Sequence, residues 1–167
     1  LCLTGQAQCV LGNHELSVLR GAAKPGNGWY FADNHDHAAG RFQDCRTASP
    51  DQRRQFPQFL AGLPLALSRD DLRVVHAAWH PASLLALAAD AGSQQLTDIY
   101  REYGRHAEQW AQESALKHAA GNEYRLWHAQ LDDEHASVPL LQAIGRMDEH
   151  FQMSNPVRVL TSGVEQL

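Results

Sequence analysis

The chain has 167 residues, 44% of them hydrophobic and 20% charged. That is enough for one domain with a core, and unlike the polar, highly charged composition of a disordered segment. A formal charge of -5 excludes the basic surplus of a general nucleic-acid binder, and the longest apolar stretch, Leu84-Leu85-Ala86-Leu87-Ala88-Ala89, is far short of the roughly 20 residues that a membrane-spanning helix needs.

The pattern along the chain is mixed. Cys9-Val10-Leu11 reads as a short strand that stops at Gly12 and Asn13, with a helix over residues 14–20 ended by Gly21. Residues 24–49 carry glycine, asparagine and aspartate around Trp29, Tyr30 and Phe31, the composition of a long irregular loop. A helix is predicted over residues 50–62, kinked or delayed by Pro57. Leu63-Pro64-Leu65-Ala66-Leu67 and Leu72-Arg73-Val74-Val75-His76 flank the turn residues Ser68-Arg69-Asp70-Asp71, so a hairpin or two neighbouring strands is expected.

Pro81 suits a first helical position, and Leu84, Leu85, Leu87 and Ala88 continue a buried helix toward Gly92. Residues 96–117 space Leu96, Ile99, Tyr100, Tyr103, Ala107 and Trp110 as the apolar face of an amphipathic helix. Two more helices are predicted over residues 123–131 and 139–150. Asn155-Pro156 then breaks the pattern, and Val157-Arg158-Val159-Leu160 reads as a last strand. The class is α/β or α+β, one domain over residues 1–167 with a helical section at about 94–150. Three cysteines, Cys2, Cys9 and Cys45, without a C-x-x-C pair fit a reducing compartment better than a disulfide framework. No charged-then-apolar leader opens the chain, so a cytoplasmic location is expected.

The most specific feature is Gly12-Asn13-His14-Glu15, set where a strand meets a helix. The Asn13 carbonyl is a neutral oxygen ligand for a divalent metal, His14 can protonate a leaving group, and Gly12 permits a sharp turn. His76 ends the run Val74-Val75, at the carboxyl end of a strand, where open α/β sheets place ligands, and neutral imidazole is a common metal ligand. Blander readings stand beside these: a helix-capping Asn in an ordinary turn, and a satisfied core histidine at a strand end.

These blocks resemble the calcineurin-like metallophosphoesterases, in the branch of phosphoprotein phosphatases and diadenosine tetraphosphate hydrolases. Residues 9–15 are similar to that family's GNHE block, and residues 72–77 to its strand ending in VHA. Residues 63–67 sit where the family has a Leu-Pro strand, and residues 155–163 are similar to a late segment of bacterial members. The resemblance implies a two-sheet sandwich flanked by helices, with two divalent metals, Mn, Fe, Zn or Ni, sharing a bridging hydroxide. It makes Asn13 and His76 metal ligands, His14 the general acid and Glu15 the support behind them. A phosphorylated small molecule, nucleotide or phosphoprotein would be the substrate, with neither membrane nor general nucleic-acid binding. The family's D-x-H, GDxxDRG and Gly-His blocks do not occur in this sequence, so the chain is expected to be the middle of a longer protein and inactive alone. A phosphoesterase-like binding module that has lost its metal centre is the alternative.

Asn34-His35-Asp36-His37 holds ligand types but reads as a solvated loop. Trp29 and Tyr30 suit either base stacking or loop anchoring. His80, His106, His118, His128, His135 and His150 lack ligand spacing, and Glu108, Glu113 and Glu123 read as exposed helix charges. Cys45 has no partnering base, which argues against a cysteine hydrolase.

Overall fold

In a computed structural model, which describes residues 1–2, 4–31, 46–90 and 94–166, the first helix, α1 (Asn13–Leu19), begins directly after Gly12. It stops as its sequence predicts. Arg20 caps the helix, still in helical conformation, and Gly21 takes a φ of 64°. Its N–H and that of Ala22 donate to the Val18 and Ser17 carbonyls at 3.1 and 3.0 Å, closing the helix end with two carbonyls satisfied.

A one-turn helix, α2 (Gly28–Phe31), and α3 (Pro50–Ala61) come next. Ser49 and Gln52 form a reciprocal cap at the start of α3: the Ser49 hydroxyl accepts from Gln52 N at 3.2 Å and the Gln52 side chain accepts from Ser49 N at 2.9 Å. With Pro50 at the first position, these signals fix the start of the helix. The helix runs through Pro57 rather than starting after it. Pro57 has no N–H to give the Arg53 carbonyl four residues back, and the Tyr30 hydroxyl donates to that carbonyl at 3.0 Å.

The predicted hairpin is present. Strands β1 (Ala66–Arg69) and β2 (Leu72–Val75) pair antiparallel with Ala66 opposite Val75 and Arg69 opposite Leu72, joined by Asp70-Asp71.

The remaining elements are helical: α4 (Pro81–Asp90), α5 (Leu96–Glu113), α6 (Leu116–Trp127) with a 3-10 turn (His128–Gln130), α7 (Gln142–Met153) and α8 (Pro156–Ser162). In α5 the buried residues Ile99, Tyr100, Ala107 and Ala111 keep the spacing of an amphipathic stripe. Helix α4 starts at Pro81 as predicted but is not buried along its leucines: Leu85 is 72% exposed. The side chain of Leu141, before α7, gives no cap. Glu123 of α6 takes that role, its carboxylate accepting from Ala143 N and Ile144 N at 2.9 Å each, so a charge expected to be merely solvated satisfies two otherwise orphaned donors.

The expected two-sheet sandwich is overturned. Of the described residues 57% are helix and 5% strand, and they hold one two-stranded sheet. Two predicted strands account for the difference. Leu11 N donates to Pro64 O at 2.9 Å, but this bond does not extend into a ladder. Residues 157–160 lie within α8 because Asn155 caps it, its carbonyl oxygen accepting from Val157 N at 3.1 Å and Arg158 N at 3.4 Å, with Pro156 in the first helical turn. Asn-Pro is here a helix start, not a break.

Two compact units result. The first holds residues 1–80, 95–97 and 160–162, the second residues 81–94, 98–159 and 163–167. The first is built around Leu11, Leu16, Val18, Tyr30 and Leu60; the second around Ile99, Tyr100, Ala107, Ala111, Met147 and Val157. Asn155, 1% exposed, ties the second together, since its amide also donates to the Tyr100 carbonyl at 2.9 Å. Asn155→Ala removes both the cap and the bond to that carbonyl. It is expected to cost about 2 kcal/mol, read as a lower denaturation midpoint.

No helix among the described residues is long and apolar enough to cross a membrane.

Candidate active site

Gly12 is buried and sits against two of the predicted site residues. A Cβ built on it would lie 2.6 Å from the His76 ring and 2.7 Å from Glu15 Oε2. Its backbone, φ -103° and ψ 179°, is open to any residue, so what the position requires is the missing side chain and not conformational freedom. The structure thus brings His76, just past the end of β2, onto the Gly12 backbone that leads into Asn13. The next residue, Ala77, donates to the Leu160 carbonyl at 3.0 Å and holds that strand end in place. His76 is exposed, not a core histidine. Gly12→Ala is expected to swing the His76 ring away and cost about 1–3 kcal/mol, measured as a denaturation shift together with the His76 ring resonances.

His14 faces a different group. Asn27, 1% exposed, holds it twice: the Asn27 amide nitrogen donates to the His14 carbonyl at 2.9 Å, and the Asn27 carbonyl oxygen lies 2.8 Å from His14 Nδ1. The first bond sets which way the amide points, so the second has an oxygen acceptor and Nδ1 must carry the proton. Nε2 is left as the nitrogen available for chemistry. Gly26 makes this fit possible, with a φ of 90° and a Cβ position 2.9 Å from the His14 ring; a side chain there is opposed by backbone strain and by contact at once.

Beside His14 lies a cavity of about 230 Å³ lined by His14, Glu15, Val18, Gly26, Asn27, Trp29, Phe56, Phe59 and Leu60. Trp29 packs edge-on against Phe56 at 5.6 Å between ring centres and forms one wall. Glu15 lines this cavity and also reaches Gly12, so it faces both groups of residues. A larger polar cleft of about 460 Å³, with Asp90, Glu102, Tyr103 and His106 on its walls, lies in the second unit and contains none of the predicted site residues. The Asn34-His35-Asp36-His37 cluster and Cys45 lie outside the described residues. His150, assigned no chemistry, is taken up structurally: it stacks on Trp110 at 3.9 Å, and its Nε2 lies 3.1 Å from the Ala107 carbonyl.

Among the described residues the donors fall short of a three-ligand metal group. Asn13 and His76 are two ligands of the implied set, and among the described residues no three His, Cys, Asp or Glu side chains form a metal-holding group. Catalytic metals are ordinarily held by three or more protein ligands, so no chemical step is assigned to a metal on these residues. Sequence reasoning missed Asn27. A buried asparagine one residue before a glycine offers no motif, and only the chain's return onto His14 reveals it.

No protein-family model, no curated protein and no solved structure matches the chain.

Proposed function

We propose that this chain carries the proton-donating half of a phosphoesterase site, acting in the cytoplasm on phosphate monoesters or nucleotide phosphoanhydrides. The observation that carries the reading is the double tie of Asn27 to His14. It fixes Nδ1 as protonated, so the imidazolium loses its other proton from Nε2, and the form left behind is the one Asn27 already stabilises. That is the behaviour required of a general acid toward a leaving oxygen. The fold lends nothing to the proposal, which stands on the residues of the block. Asn13 and His76 are the proposed contribution to a divalent-metal site of the Mn, Fe, Zn or Ni type, completed by ligands beyond this donor set.

The shortage of donors among the described residues favours a second reading, a phosphoester-binding module without catalysis. The test is phenol release from phenyl phosphate with added manganese, by the chain and by the complete reading frame of its gene, each beside His14→Gln. Turnover that His14→Gln suppresses supports the proposal. Turnover indifferent to His14→Gln, or no turnover in either protein, sinks it, and binding of the ester without turnover selects the binding module.

A further inference from the structure

The segment ahead of the motif folds back on itself. Gly5 takes a φ of 72°, Gly5 N donates to the Cys2 carbonyl at 3.1 Å, and Gln6 N donates to the Leu1 carbonyl at 3.0 Å. This turn sets the Cys2 and Cys9 sulfurs 3.6 Å apart, and both residues are free thiols and partly exposed. Both line an open cleft of about 400 Å³ together with Phe59, Leu63, Pro64 and Leu67. Two sulfurs at van der Waals contact, seven residues apart on a turn and reachable from solvent, can join with little backbone movement. We propose that Cys2 and Cys9 form a reversible thiol–disulfide site whose co-substrate is a small disulfide of the glutathione class.

The exchange balances in two steps. The Cys2 thiolate attacks one sulfur of the small disulfide, forming a mixed disulfide and releasing one thiolate. The Cys9 sulfur then attacks the Cys2 sulfur and displaces the second. The protein loses two electrons and two protons, and the small disulfide is reduced to two thiols. The hydrogen bond with Cys2, desolvation and the nearby Cys2 and Glu15 charges all hold the Cys9 thiol above its ordinary range, which lowers its thiolate fraction. Closure therefore depends on Cys9 attacking within the mixed disulfide, where proximity compensates for its low thiolate fraction. Cys9 lies three residues before Gly12, so the bond would tie down the segment that enters the candidate site. The proposal does not depend on the phosphoesterase reading.

The native chain is equilibrated with increasing ratios of oxidised to reduced glutathione, quenched with an alkylating agent and digested with trypsin. Cys2 and Cys9 fall together on the peptide ending at Arg20, and Cys45 on another. The expected result is loss of alkylation at both sites on that first peptide, with the mass of two hydrogens removed, and full recovery on reduction. Cys9→Ser is expected to stop at glutathione on Cys2. Glutathione on both cysteines, a bond from either to Cys45, or two free thiols at the most oxidising ratio would overturn the proposal.

Discussion

Replacing His14 by glutamine is expected to lower kcat for phenyl phosphate about 10²–10⁴-fold, the range typical of a lost general acid. The loss should shrink sharply for a nitrophenyl phosphate. A phenolate leaving from phenyl phosphate is basic and gains from a proton delivered as the bond breaks, whereas a nitrophenolate leaves well without one. A residue that merely shapes the site would lower both rates alike. Glutamine keeps the backbone carbonyl that accepts from the Asn27 amide at 2.9 Å, and its side-chain amide can donate in place of the ring nitrogen that meets the Asn27 oxygen at 2.8 Å, so the fold is expected to persist. The check is the ratio of the two kcat values in wild type and variant. An unchanged ratio removes His14 from the proton-transfer role, whatever the size of the rate loss.

How much of the fold and site is legible in the sequence depends on the distance over which each signal acts. The end of α1 at Gly21, the hairpin around Asp70-Asp71 and the start of α4 at Pro81 are set by residues within one turn of the event, and the sequence alone places them correctly. Asn155-Pro156 carries an equally local signal with two readings, a stop for the helix before it or a start for the one after it. The β-branched Val157 and Val159 tip the expectation to a strand, but the cap and the Tyr100 contact decide for the helix. Pro57 looks disruptive because the hydroxyl that meets the Arg53 carbonyl comes from Tyr30, 23 residues earlier in the chain. The sheet is over-read for a related reason. Short apolar runs such as residues 9–11 are the least decisive signal in a sequence, and a resemblance carried by two blocks supplies strands that the chain does not form. In the site, Gly12, His14 and His76 can be named from residue type and spacing. The Asn27 side chain cannot, since its function exists only once α2 has come back against α1.

Asn27→Ala is expected to cost about 2–4 kcal/mol, the largest single loss of stability at the site. The substitution deletes two hydrogen bonds at a residue 1% exposed and takes from the His14 Nδ1 donor the carbonyl it meets; unsatisfied buried polar groups of this kind cost roughly 1–3 kcal/mol each. The Asn27 backbone carbonyl, which accepts from Tyr30 N at 3.0 Å and Phe31 N at 3.2 Å, survives, so α2 still has its first bonds and the aromatic wall formed by Trp29 is retained. Stability alone would not separate a structural asparagine from one that positions an acid. The separating measurement is the ¹⁵N spectrum of the His14 ring. With the ring in its neutral form, the native chain is expected to carry the proton on Nδ1 and give the signal of a bare nitrogen at Nε2; in Asn27→Ala the neutral ring is expected to revert to the ordinary imidazole preference for a proton on Nε2. If the proton stays on Nδ1 without Asn27, that residue does not set the tautomer, and the proton-donor assignment loses the observation that carries it.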